Sequence, residues 1–368
     1  MKQNHFKPVF STKTGLFVPM NFQQITLQGP ITIESGHTFS QFEVGFHTLG
    51  HLKEEKDNVV WVCHAFSANS DVSDWWQNMV GPGRLLDPEQ QFIICVNLPG
   101  SCFGTTGPLS VNPETKEPYF HSFPFFTIRD VVKIYRLVAK KLGIINIQLL
   151  VGGSLGGQKA LEWAIQEPGC IEQLVVIASN AVHSPWGITF NKSQRMAIAS
   201  DVAWKEPKPD AGLEGMKAAS AVAMLSYRNL HTYQISQSEP DNTKIEGFKA
   251  ASYQQYQGQK LTFQFNAIRY VLLSKMMDSH NLGFNRESIE SALKFISANT
   301  LVIGIRSDYL FPVAEQKYLA RHIPNAEYVE IDSQYGHDGF LVETEKISIC
   351  VRNFMLKQMQ KNPLNAAV

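Results

Sequence analysis

Leu149-Leu150-Val151-Gly152-Gly153-Ser154-Leu155-Gly156-Gly157 is an apolar run that breaks into glycines around one serine, and Gln158-Lys159-Ala160-Leu161-Glu162-Trp163 follows with helical spacing. The stretch contains G-x-S-x-G as Gly152, Ser154 and Gly156, placed where a buried strand turns sharply into a helix. A serine held on such a turn has strained dihedrals, and small neighbours on both sides let strand and helix approach closely. Ser154 would then sit at a helix N-terminus, where free backbone N–H groups and the helix dipole favour developing negative charge. Ser154 is therefore the candidate nucleophile, with the Leu155 N–H as one oxyanion donor. A phosphate-binding loop is excluded by residue type, because Gln158 and Lys159 stand where Lys and Ser/Thr are needed.

Outward from this turn the chain alternates short β-branched runs with helical patterns. Val59–Cys63, Phe92–Asn97, Ile147–Val151, Leu174–Ala178, Thr300–Ile305 and Tyr328–Ile331 are apolar on both faces and read as buried parallel strands. Ile128–Leu142, Leu155–Gln166, Val313–His322 and Glu343–Lys357 read as helices between them. The alternation predicts a doubly wound α/β sheet with right-handed crossovers. It stops after Ala178 and resumes at Thr300. Residues 1–180 and 300–368 are thus assigned to a core domain and 181–299 to an inserted helical lid, with helices expected over Gly215–Arg228 and Leu261–Met277. A lid is the natural role, because open α/β sheets bind ligands at their carboxyl edge; dimerisation is the alternative role.

A serine hydroxyl needs a base, and on sheets with such a turn the histidine follows the serine and an acid in chain order. Beyond the strand at Thr300 only His322 and His337 remain. His322 falls inside an amphipathic helix, whereas His337 lies in the loop Gln334-Tyr335-Gly336-His337-Asp338-Gly339 after the last strand, so His337 is the expected base. The acid should come from the loop after the preceding strand, which points to Asp308 in Arg306-Ser307-Asp308-Tyr309, with Asp332 as its rival. The loop His64-Ala65-Phe66 after an early strand supplies the second expected oxyanion donor, the Phe66 N–H. His64 and Cys102 read as structural.

Bulk properties narrow the partners. The 368 residues are 44% hydrophobic, enough for a full core, and 33 basic residues balance 33 acidic ones, which gives no field that draws in nucleic acid or an anionic membrane. Met1–Pro19 never forms the apolar core of a signal peptide, and the longest apolar runs are strand-sized. Five scattered cysteines lack C-x-x-C spacing, so neither a disulfide framework nor a metal site is expected, and a cytoplasmic location fits.

Taken together, His64-Ala65-Phe66, the segment Asn97–Pro108, Thr127-Ile128-Arg129-Asp130, Gly152–Trp163, His183-Ser184-Pro185-Trp186, Gln194-Arg195, Ser307–Pro312 and Gly336-His337-Asp338 resemble the homoserine O-acetyltransferase family of α/β-hydrolase-fold acyltransferases over most of the chain. The resemblance implies an α/β-hydrolase fold with a mostly parallel central sheet and a helical lid. It also implies a ping-pong reaction of methionine biosynthesis, in which Ser154 takes acetyl from acetyl-CoA and passes it to L-homoserine, with CoA a co-substrate and no bound cofactor. A homodimer through the lid helices is implied as well. For the acceptor, the resemblance implies Asp338 for the amino group and Tyr227 near the reacting centre. Seven residues before Tyr227 the family has arginine and this chain has Ser220, which cannot grip a carboxylate bidentately. Lys217, one turn earlier, is the expected substitute. The Ser220 departure keeps three alternatives open: plain ester hydrolysis, a succinyl donor, or another acceptor such as serine.

Overall fold

The computed structural model describes residues 20–361, so the Met1–Pro19 stretch lies outside the described residues. Eight strands form one sheet: β1 (Asn21–Thr32), β2 (Thr38–Leu49), β3 (Val59–Cys63), β4 (Phe92–Val96), β5 (Ile147–Gly153), β6 (Ile171–Ile177), β7 (Asn299–Ile305) and β8 (Ala326–Ile331). Their order across the sheet is β1-β2-β4-β3-β5-β6-β7-β8. The pairings β1–β2 and β2–β4 are antiparallel, and the other five are parallel. This is the α/β-hydrolase sheet that the sequence implied.

The helices are α1 (Val72–Trp75), α2 (Ile128–Lys141), α3 (Leu155–Gln166), α4 (Pro185–Ala199), α5 (Leu213–Tyr227), α6 (Leu230–Gln237), α7 (Lys249–Leu261), α8 (Ala267–Asp278), α9 (Ile289–Leu293), α10 (Val313–His322), α11 (Gly339–Val342) and α12 (Thr344–Lys361). Local chemistry sets several of their boundaries. Thr127 and Asp130 form a reciprocal capping box at the start of α2, and Ser184 caps α4 with Pro185 in the first turn. The helix expected over Leu261–Met277 starts later: α7 ends at Leu261, and the Asn266 side chain accepts from the Arg269 N–H to begin α8 at Ala267.

Alternation along β3 divides the core between the two faces of the sheet. Val59, Trp61 and Cys63 face one side, where Trp61 meets Trp163 of α3 edge-on at 4.8 Å and Tyr135 of α2 at 5.9 Å. Val60 and Val62 face the other, where Trp76 and the α12 residues Ile347, Val351 and Phe354 pack. Each such fully buried large side chain contributes about 1.5–3 kcal/mol by leaving water, so the sheet is clamped from both faces.

The residues between β6 and β7 form helices α4 to α9 and no strand. Their stem is closed by backbone bonds from His183 N to His280 O (2.9 Å) and from Leu282 N to Ala181 O (2.9 Å). The carboxyl ends of β5, β7 and β8 carry Ser154, Asp308 and His337 on the connections that follow.

The turn from β5 to α3 is the tightest part of the frame. Ser154 has φ 56° and ψ −127°, a region that L-residues enter only when their surroundings hold them there. A Cβ on Gly156 would come within 2.0 Å of the Cys63 carbonyl oxygen, and one on Gly152 within 2.4 Å of the Gly156 backbone. The obstacles are backbone of the central strand and of the turn itself, which cannot swing aside. Gly156→Ala should therefore push α3 off β3 and lower stability by at least about 1–3 kcal/mol. Thermal or urea unfolding checks this, and an unchanged midpoint would contradict the close approach.

Candidate active site

Asp308 is fixed first. It is 4% exposed, and its Oδ1 accepts the backbone N–H groups of Leu310 and Phe311, both at 2.9 Å. Its Oδ2 lies 2.6 Å from His337 Nδ1. A carboxylate at Nδ1 requires that nitrogen to donate, which leaves Nε2 as the acceptor for the Ser154 hydroxyl, 2.8 Å away. The imidazole is held flat by Phe311, nearly parallel at 4.8 Å and 19°, and by Phe340 at 5.1 Å. Ser154, His337 and Asp308 thus form one hydrogen-bonded chain of buried side chains, able to take a proton from the serine and stabilise the resulting imidazolium.

The structure separates the candidates from their rivals. The Asp332 side chain is 80% exposed and faces Arg306. His322 Nδ1 is bonded to the Tyr318 carbonyl of its own helix. His64 is fully buried with Nδ1 against the Ala65 carbonyl, and burial holds it well below the ordinary histidine range, hence neutral. Cys102 donates to the Gln264 carbonyl, and burial raises its thiol.

Phe66 and Ser154 line the same cavities, and Leu155 is the first residue of α3. The Leu155 N–H, at the first position of α3, has no partner within its own helix, and among the described residues the Phe66 N–H makes no backbone bond. One contributor was missed in the sequence. Lys159, fully buried, donates to the His64 carbonyl at 2.9 Å and the Tyr135 hydroxyl at 3.2 Å, which ties the Phe66 loop to α3. Burial lowers its pKa to about 8. A lysine in the otherwise uncharged stretch Leu155–Leu161 was the available signal.

Ser154 stands where two cavities meet. A narrow, more enclosed one is lined by His183, Phe190, Asn191, Gln194, Ser226 and Tyr227 among others. A more open one of about 700 Å³, counting space that merges with solvent, is lined by Trp75, Tyr227, Gln264, His337, Asp338 and Phe340 among others. Among the described residues there is no group of three or more His, Cys, Asp or Glu that could hold a metal ion, and no helix is long and apolar enough to cross a membrane.

The model of the alpha/beta hydrolase fold matches residues 58–344. A homoserine O-acetyltransferase of Cyclobacterium marinum is 42% identical over 342 residues, which is 93% of this chain and 97% of that protein. Homoserine O-acetyltransferases of Chloroherpeton thalassium (39% identical; 95% and 91% covered) and Chlorobaculum tepidum (41%; 88% and 92%) are similarly related. This chain belongs to the homoserine O-acetyltransferase family. Among solved structures, a homoserine O-acetyltransferase from Bacillus anthracis superposes with a TM-score of 0.85 at 24% identity, covering 91% of this chain and 97% of that one. Esterase E22 superposes with 0.81 at 21%, covering 91% and 100%. At such identities these likenesses show the shared fold.

The acceptor residues implied by homoserine O-acetyltransferase resemblance are only partly brought together. Tyr227 and Asp338 both line the open cavity, and the Tyr227 ring lies 6.1 Å from that of His337. Ser220 is 2% exposed with its hydroxyl unpartnered, and it lines neither cavity. Lys217 corrects the expectation: its ammonium pairs with Glu214 at 2.6 Å, a residue 74% exposed, so it is turned along the surface of α5 rather than toward Ser154. An i,i+3 partner on the solvated side holds the chain there.

Behind the serine turn, Gln158 Nε2 donates to Asn180 Oδ1 (2.8 Å), and Asn180 Nδ2 donates to Glu315 Oε2 (3.0 Å). Burial raises the Glu315 carboxyl to about 7, from 4.5, and the nearby Asp308 adds to the rise against the Asn180 hydrogen bond. The folded state therefore holds this proton more tightly than the unfolded chain, and the linked stability falls as pH rises from about 4.5 through about 7. Glu315→Gln keeps an acceptor for Asn180 and removes the buried charge. Its unfolding midpoint should exceed that of the natural protein at pH 8, with the gain shrinking toward pH 5; equal gains at both values would contradict the assignment.

Proposed function

We propose that this chain transfers the acetyl group of acetyl-CoA to the hydroxyl of L-homoserine through an acyl-Ser154 intermediate, as a step of methionine biosynthesis. The observation that carries the proposal is the hydrogen-bonded chain Ser154–His337–Asp308 opening into a cavity that Asp338 also lines, in a chain about 40% identical to homoserine O-acetyltransferases.

In the first half-reaction Ser154 Oγ attacks the thioester carbonyl while His337 Nε2 takes the hydroxyl proton. The Phe66 and Leu155 N–H groups receive the oxyanion, and Asp308 stabilises the imidazolium. Collapse breaks the C–S bond, and the CoA thiolate leaves with the proton from His337. In the second half the homoserine hydroxyl attacks the acyl carbonyl, His337 takes its proton, and collapse returns that proton to Ser154. The acetyl ester leaves and the free serine is restored.

Helices α4 to α8 would act as the lid of this site, excluding the water that otherwise competes with a dilute acceptor. Leu225, Leu230, Ile235, Phe248 and Tyr256 expose apolar surface on α5, α6 and α7, which supports a homodimer through these helices. Five free cysteines fit a reducing cytoplasm.

Ester hydrolysis is the competing reading, favoured by the absence of a cation at position 220 and by the solvent-merging side of the larger cavity. Release of CoA from acetyl-CoA, compared with homoserine, serine and water as acceptors, separates the two. Release should depend on homoserine, and Ser154→Ala should lower it by about three orders of magnitude or more. Release indifferent to any amino acid would favour the hydrolase, and a preference for succinyl-CoA would reassign the donor.

A further inference from the structure

An amino-acid acceptor brings an ammonium and a carboxylate into the site together. Asp338 offers the negative charge for the first, so the cavity wall needs a cation for the second. Several cationic or titratable side chains of the insertion are engaged elsewhere or carry no charge. Lys217 is paired with the exposed Glu214. Arg195 is bound to Asp278 at 2.5 Å and to Ser274 at 3.0 Å. Arg269 lies against Cys102. His183, on the enclosed cavity, is pushed down by burial to about 4 and is neutral. Arg228 reaches the open cavity through Asp338, which lines it: the Arg228 Nε donates to Asp338 Oδ2 at 3.2 Å.

We propose that Arg228 is the specificity-determining cation that binds the acceptor's carboxylate, and that the Arg228–Asp338 ion pair of the free enzyme opens to admit the zwitterion between its two charges. This rests on the acyl-transfer reading above. Three features fit it. First, the pair is single-pronged and both side chains remain partly solvated, 26% and 22% exposed, so it is weak compared with a bidentate fork and is easily exchanged for another carboxylate. Second, the exchange conserves charge: the ammonium replaces the guanidinium beside Asp338, and the carboxylate replaces Asp338 beside Arg228. Neither side chain is left as an uncompensated charge.

Third, Arg228 is held in place from two other elements. Its backbone follows α5 directly after Tyr227, and its guanidinium lies over the Tyr253 ring of α7 at 5.4 Å. The loop carrying His337 passes so close that a Cβ on Gly336 would stand 3.0 Å from the Arg228 carbonyl carbon. The anchor and the base are thereby set at a fixed spacing. Ser220, uncharged and buried, is left with no part in carboxylate binding.

The test compares L-homoserine with 3-aminopropan-1-ol, which keeps the ammonium and hydroxyl but lacks the carboxylate, in the natural protein, Arg228→Gln and Arg228→Lys. In Arg228→Gln the kcat/KM for homoserine should fall about 10- to 100-fold, mainly through KM. The preference for homoserine over 3-aminopropan-1-ol should collapse with it, and Arg228→Lys should recover part of that preference. Turnover of 3-aminopropan-1-ol serves as the internal control for folding, since a structural role would lower both acceptors alike. Equal losses for the two acceptors, or an unchanged homoserine preference in Arg228→Gln, would overturn the assignment while leaving acyl transfer standing. Absence of homoserine-dependent CoA release in the natural protein would overturn both.

Discussion

The 2.8 Å contact between Ser154 Oγ and His337 Nε2 joins points 183 residues apart in the chain, and nearly every other feature of the site exists to keep that distance. β5, which delivers the serine, lies inside the sheet, whereas β8, which precedes the histidine, lies at its edge. The chain must therefore fold back across the carboxyl ends of β7 and β6. It does so at Gly336, whose N–H bonds to Ser307 Oγ at 3.0 Å, and at Phe340, whose carbonyl accepts from Trp76 Nε1 at 3.1 Å. Asp308 and its two backbone donors fix the imidazole from the third side.

The serine's own side of the contact is held as firmly. Ser154 keeps its strained dihedrals because its N–H bonds to the Ile177 carbonyl and its carbonyl accepts from Ser179 Oγ. With the turn so fixed, the hydroxyl is presented to the histidine at 2.8 Å. Such preorganisation is what lets a weak nucleophile react without waiting for its surroundings to move.

Much of this could be read in the sequence because it rests on local pattern. Buried parallel strands are apolar on both faces, so β3 to β7 were recognisable; β8, a half-exposed edge strand, showed only through its short run Tyr328–Ile331. The serine turn announces itself by glycines between a strand and a helix. β1 and β2 were missed for a physical reason: β1 is a half-solvated edge strand, and its Gln23, Gln24, Thr26 and Gln28 carry no apolar run. In β2 the signal is only the alternation of Phe42, Val44 and Phe46 with polar neighbours. The break between α7 and α8 was hidden because Asn266 acts through a cap rather than through hydrophobic period. Lys217 was expected at the site and Arg228 was not considered, since helical spacing says which residues share a face but not which carboxylate each will find. That choice is tertiary, made by Glu214 for one and Asp338 for the other.

The fold does not decide what the acyl group meets, since both an acetyltransferase and an esterase superpose on it closely. What distinguishes transfer from hydrolysis is the wall facing the acyl-serine, where Asp338 lines the open cavity with Arg228 bonded to it. The account stands or falls on Ser154 carrying the acyl group. Mass spectrometry of the protein mixed with acetyl-CoA and no acceptor should find one acetyl group on the peptide containing Ser154, lost again when homoserine is added. Acetylhomoserine formed with no acyl group ever detectable on Ser154, or with the label on another residue, would contradict it.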